Sequence, residues 1–143
     1  MKKIHILLVE DNEGDIYLTT EALEEKKIIN HISIVKDGQS AIDFIYKRGA
    51  YADAKTPDLI LLDVNLPKKN GHEVLTEIKS NELTKHIPVI VLTTSSSEKD
   101  INSCYQNHAN CYITKPVEAE EFLQAISTIE GFWLSIVSLP KNK

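Results

Sequence analysis

The sequence has little of what builds special-purpose proteins. It has two cysteines, Cys104 and Cys111, without metal-ligand spacing, which read as thiols in a reducing compartment rather than a disulfide frame or a zinc site. Its five histidines, His5, His31, His72, His86 and His108, never fall at the i, i+4 spacing of a helical metal site. It has no basic excess: 16 Lys and Arg stand against 21 Asp and Glu, a formal net charge of −5, which argues against nucleic acid as the direct partner. No apolar run approaches the roughly 20 residues of a membrane span. The apolar stretch Ile4–Val9 is too short for a signal peptide, is interrupted by His5, and ends on Glu10-Asp11 where small residues should stand. No repeat or low-complexity linker divides the 143 residues, so one cytoplasmic domain is expected, with no membrane. Such a chain buries roughly two-thirds of its unfolded surface and needs no staple.

What is present is a rhythm. Short apolar runs at 4–9, 31–35, 58–62, 88–92 and 111–114 alternate with helical patterns at 13–27, 39–46, 72–80, 98–107 and from Glu118 onward. The run Leu59-Ile60-Leu61-Leu62 is apolar on both faces, as a buried parallel strand is. Strands interleaved with helices at this spacing predict right-handed crossovers and an α/β doubly wound parallel sheet. Asp37-Gly38 marks a turn, Asn12 can cap the first helix, and Glu13 and Asp15 suit that helix's positive end. The stretch 47–57 reads as a long surface loop.

In a parallel sheet all C-terminal strand ends share one edge, where ligands bind. That edge collects Glu10 and Asp11, Asp63, Thr93 and Lys115. Taken singly, the acids and the threonine read as helix caps and the lysine as a solvated surface group. Together they make a chemical set. Three close carboxylates repel, and a hard divalent cation relieves that repulsion; Mg²⁺ takes oxygen ligands and keeps waters for a phosphate. Asp63 can then attack phosphorus, Lys115 can neutralise the transferred oxygens, Thr93 can donate to the phosphoryl group, and the Asn65 main-chain carbonyl can complete the metal sphere.

Across residues 4 to 130 these positions resemble the receiver domain of two-component response regulators. Glu10-Asp11 matches the family's metal-binding pair, with Glu in place of the more usual first Asp. Asp63 matches the phosphoacceptor, with Asn65, Pro67 and Gly71 after it. Thr93 matches the hydroxyl residue, Lys115-Pro116 the lysine and its often cis proline, and Tyr112 the switch aromatic. The resemblance implies a flavodoxin-like (βα)5 fold with strand order 2-1-3-4-5, Mg²⁺ with Mn²⁺ as a substitute, and a sensor histidine kinase as phosphodonor. It implies a switch in which Thr93 and Tyr112 rearrange the face made by the fourth helix, fifth strand and fifth helix.

The receiver is assigned to 1–130, and 131–143 to an apolar extension of the last helix with no separate output domain. Phe132, Trp133, Leu134 and Val137 would lie exposed on that extension, and exposed apolar groups mark an interface. The ending resembles stand-alone regulators that partner phytochrome-type kinases, which implies a phytochrome-type sensor; a homodimer through the fourth-helix to fifth-helix face, extended by this tail, is expected, the alternative being a tail that folds back over its own domain. A histidine phosphotransfer protein is a candidate downstream partner. The competing reading, an aspartate-nucleophile phosphatase, needs a second acid two residues after Asp63 as general acid; Asn65 stands there and cannot fill that role. The expectation is therefore a phosphoacceptor switch and not an enzyme acting on an outside substrate.

Overall fold

The computed structural model describes residues 4–25, 31–93 and 111–127. Its frame is a five-stranded sheet: β1 (His5–Val9), β2 (His31–Val35), β3 (Leu59–Asp63), β4 (Val89–Thr93) and β5 (Cys111–Thr114). The order is β2-β1-β3-β4-β5 and every pairing is parallel, as expected. Three helices follow the first three strands, α1 (Glu13–Glu25), α2 (Gly38–Ile45) and α3 (Gly71–Lys79), and a last helix spans Ala119–Ser127. The expected helix over 98–107 and the apolar tail with Phe132, Trp133, Leu134 and Val137 lie outside the described residues.

Alternation along the strands divides the core into two layers. Leu7, Val9, Ile60, Leu62, Val89 and Val91 pack with Ile42 of α2 and with Val74, Leu75 and Ile78 of α3. Ile6, Leu8, Leu59, Leu61, Ile90 and Leu92 pack with Leu23 of α1 and Phe122 of the last helix. All five residues of β3 and of β4 are buried, which is why these runs carry no alternation in polarity. β2 is an edge strand: Ile32 packs into the second layer, but Ile34, on the same face, is 42% exposed.

Most boundaries shift by one residue from expectation. β3 and β4 run one residue further, so that Asp63 and Thr93 are themselves the last strand residues. The stretch 47–57 is not featureless, for a single 3-10 turn forms at Gly49–Tyr51 and seats Tyr51 against Phe44, ring centroids 5.4 Å apart.

Candidate active site

The strand ends deliver four of the expected side chains to one point. Glu10 follows β1 directly and is fully buried; its N–H donates to the Val35 carbonyl at 3.0 Å, continuing the β1–β2 ladder. Its Oε2 accepts the Asn12 N–H at 3.2 Å. Asn12 in turn caps α1, its Oδ1 accepting the Asp15 N–H at 2.9 Å. Asp63 ends β3 and is 2% exposed. The Asn65 N–H donates to its Oδ1 at 3.2 Å, a local turn that fixes the carboxylate's rotation.

Gly71 starts α3 hard against this turn. A Cβ there would meet the Asp63 carbonyl oxygen and lie 2.6 Å from Val64 Cα, so only glycine lets α3 approach so closely. Thr93 is buried at the end of β4, and its carbonyl accepts the Lys115 N–H at 2.8 Å, which anchors the segment after β5. The Lys115–Pro116 peptide is cis.

The side chain of Lys115 closes the set. Its Nζ donates to Glu10 Oε1 at 2.8 Å, to Asp15 Oδ2 at 2.9 Å and to Asp63 Oδ2 at 3.3 Å, while only 7% of the side chain is exposed. Burial alone would lower its pKa, but the three facing carboxylates outweigh that and hold the ammonium above its ordinary value. Burial pushes the Glu10 carboxyl up to about 7, with Asp63 pushing the same way and Lys115 opposing both. One oxygen from each of Glu10, Asp11 and Asp63 lies within 4.8 Å of the others. The donor set is all carboxylate oxygen, two of the three acids are buried, and Asp11 opens to solvent. These residues fit a hard divalent cation that keeps some of its waters.

Glu10, Asp63 and Lys115 thus meet directly, Asp11 faces them at the surface, and Thr93 sits on the adjacent strand end. Tyr112 is half-buried on β5 and packs against the first core layer. The sequence reading missed Asp15, which it placed only as a favourable charge in the first turn of α1. Spacing gave little signal: Asp15 lies four residues beyond Asp11, but Asp11 precedes α1, so helical geometry does not pair them, and only the tertiary fold brings Asp15 to Lys115. A cavity of about 800 Å³, lined by His5, His31, Ser33 and Asp58 among others, lies at the opposite ends of the strands, away from these groups.

Comparison with known proteins decides the family. The response regulator receiver domain matches residues 6–127. The chain belongs to that family. Response regulator Rcp1 of Synechocystis sp. is 47% identical over 135 residues, covering 94% of this chain and 92% of that protein. The crystal structure of the phosphorylated cyanobacterial phytochrome response regulator RcpA is 49% identical, covers 94% of this chain and 96% of its own, and superposes with a TM-score of 0.78. A Mn²⁺-bound crystal structure of Rcp1, 46% identical, covers 94% of this chain and 96% of its own with a TM-score of 0.76. This receiver domain is therefore a signalling module homologous to phytochrome response regulators, with an acidic cluster of the kind that holds a divalent cation. Among the described residues no helix is long and apolar enough to cross a membrane.

Proposed function

We propose that Asp63 accepts a phosphoryl group from a sensor histidine kinase, and that Glu10, Asp11, Asp63 and the Asn65 carbonyl hold Mg²⁺ for the transfer, with Mn²⁺ able to replace it. The observation that carries this reading is the buried Asp63 carboxylate at a strand end, with an ammonium 3.3 Å away and two further acids at hand. The bound cation would offset the charge that gathers on the phosphoryl oxygens.

The rest falls to the chain's own groups. Asp63 supplies the attacking oxygen, and its Asn65 N–H bond leaves Oδ2 turned toward Lys115. Lys115 follows the charge from the carboxylates to the phosphoryl oxygens. Thr93 supplies a hydroxyl donor to the same oxygens. Its movement makes room for Tyr112 to turn, and the face around β5 and the helices beside it changes shape.

The likeness to Rcp1 and RcpA supports a phytochrome-type kinase as donor, the apolar tail supports a homodimer, and a histidine phosphotransfer protein would accept the group downstream. Cytoplasmic location follows from that partnership. The module is a switch and turns over no outside substrate.

One experiment tests the set. With acetyl phosphate and Mg²⁺, intact mass should rise by one phosphoryl group in the wild type and not in Asp63→Asn, and light scattering on the same samples reads the dimer. An Asp63→Asn chain that still gains the mass removes Asp63 as acceptor, and a chain monomeric at roughly tens of micromolar removes the dimer.

A further inference from the structure

We infer that Asp15 is a positioning residue for Lys115: it shares the ammonium with Glu10 and holds it off Asp63 until a phosphoryl group draws it across. This rests on the reading of Asp63 as phosphoacceptor. An ammonium has three N–H donors. In this structure they are met by Glu10 Oε1 at 2.8 Å, Asp15 Oδ2 at 2.9 Å and Asp63 Oδ2 at 3.3 Å. Charge-assisted N–H···O bonds close to about 2.7–2.9 Å. The first two bonds are therefore fully made and the third is slack. The ammonium is anchored mainly on Glu10 and Asp15, and the nucleophile keeps an oxygen only weakly engaged.

Asp15 suits this part where Glu10 does not. Glu10 is fully buried, so an unpaired charge there has no water to turn to, whereas the Asp15 side chain is 30% exposed and can stay hydrated once the lysine leaves. Its backbone N–H is held by the Asn12 side chain at the start of α1. Remove the Asp15 charge and the Lys115 ammonium, 7% exposed along its side chain, keeps only Glu10 and Asp63 as anionic partners. It then closes on Asp63. That closure neutralises the nucleophile and competes with a cation for the acidic cluster.

The test is a double-mutant cycle on the full chain. Asp15→Asn should raise the Mg²⁺ Kd, read by calorimetry, and slow phosphorylation by acetyl phosphate, each by about fivefold to tenfold, the size of coupling found between touching charged groups. In a Lys115→Met background the same change should have no further effect on Mg²⁺ affinity. In the metal-free protein, the protected ¹H–¹⁵N signal of the Lys115 ammonium should weaken in Asp15→Asn. Asp15→Ala should give the same signs, and far-UV melts confirm that each variant folds. Wild-type Mg²⁺ affinity in Asp15→Asn would overturn the inference. So would an equal loss with and without Lys115, because Asp15 would then act on the cation through space. The calorimetry needs no phosphoryl transfer, so it decides the Asp15–Lys115 coupling even if Asp63 proves not to be the acceptor.

Discussion

Gly71 is the residue on which the placement of Asp63 turns. Its N–H donates to the Val64 carbonyl at 3.1 Å, and the missing side chain lets α3 press against the end of β3. Gly71→Ala forces either the helix or the strand end to move. Overpacking of this kind costs about 1–3 kcal/mol. The urea midpoint should fall accordingly, and phosphorylation should slow because the Asp63 backbone is what shifts. A variant as stable and as fast as wild type would show that the contact relaxes freely.

His5, at the far edge of the sheet, makes a prediction of a different kind. Burial, and then His31 with ring centroids 4.8 Å away, lowers its pKa from 6.5; Lys55 pushes the same way, while the Thr56 carbonyl and Asp58 oppose. Below the unfolded value the unfolded chain therefore binds more protons here than the native one. The stability tied to a neutral His5 is present above that value and is lost as pH falls toward the folded one. Between roughly pH 7.5 and 5.5 the wild type should lose more stability than His5→Gln, measured by urea unfolding at each pH. Parallel curves would remove His5 as the cause.

At the scale of elements, α3 carries its start signal in full. Asn70 Oδ1 accepts the Glu73 N–H at 3.0 Å and Glu73 Oε1 accepts the Asn70 N–H at 3.1 Å, a reciprocal capping box. Asn70→Ala leaves the Glu73 N–H without its partner, while the N–H of residue 70 can still reach Glu73 Oε1, and should cost about 1 kcal/mol in chemical denaturation. An unchanged midpoint would mean that water replaces the cap without loss.

The same stretch shows what local reading leaves out. Pro67 to Asn70 reads as a loop closing into a helix, but nothing in that run says that it packs on the start of α2. A Cβ on Gly38 would strike the Lys69 carbonyl, the Gly38 N–H reaches the Pro67 carbonyl at 3.4 Å, and Lys68 stands at φ 68. Asp37-Gly38 was legible as a turn because Asp caps well and Gly bends freely. Its contact with Lys69 was not, because that contact joins residues some thirty positions apart and has no local signature.

For the whole molecule, the acidic cluster couples cation binding to stability. A ligand that binds only the native state adds roughly 2.7 kcal/mol at a hundredfold excess over its Kd. Mg²⁺ should therefore raise the melting temperature of the wild type and fail to do so in a Glu10→Gln, Asp11→Asn double variant. An equal rise in both would place the cation elsewhere.

The sequence by itself determined the alternation of strands and helices, because apolar periodicity and capping chemistry are local. It also determined the edge at which Glu10, Asp11, Asp63, Thr93 and Lys115 gather, since in a parallel sheet every strand ends on the same side. Only the tertiary structure decided how those groups share their charges. The Lys115 ammonium chooses among Glu10, Asp15 and Asp63 by distances set through three strands and α1. Asp15 joins the site because the first turn of α1 brings its carboxylate within 2.9 Å of the Lys115 ammonium, which follows β5. Electrostatic partnership depends on separation and burial, and neither is written in the spacing of residues along the chain.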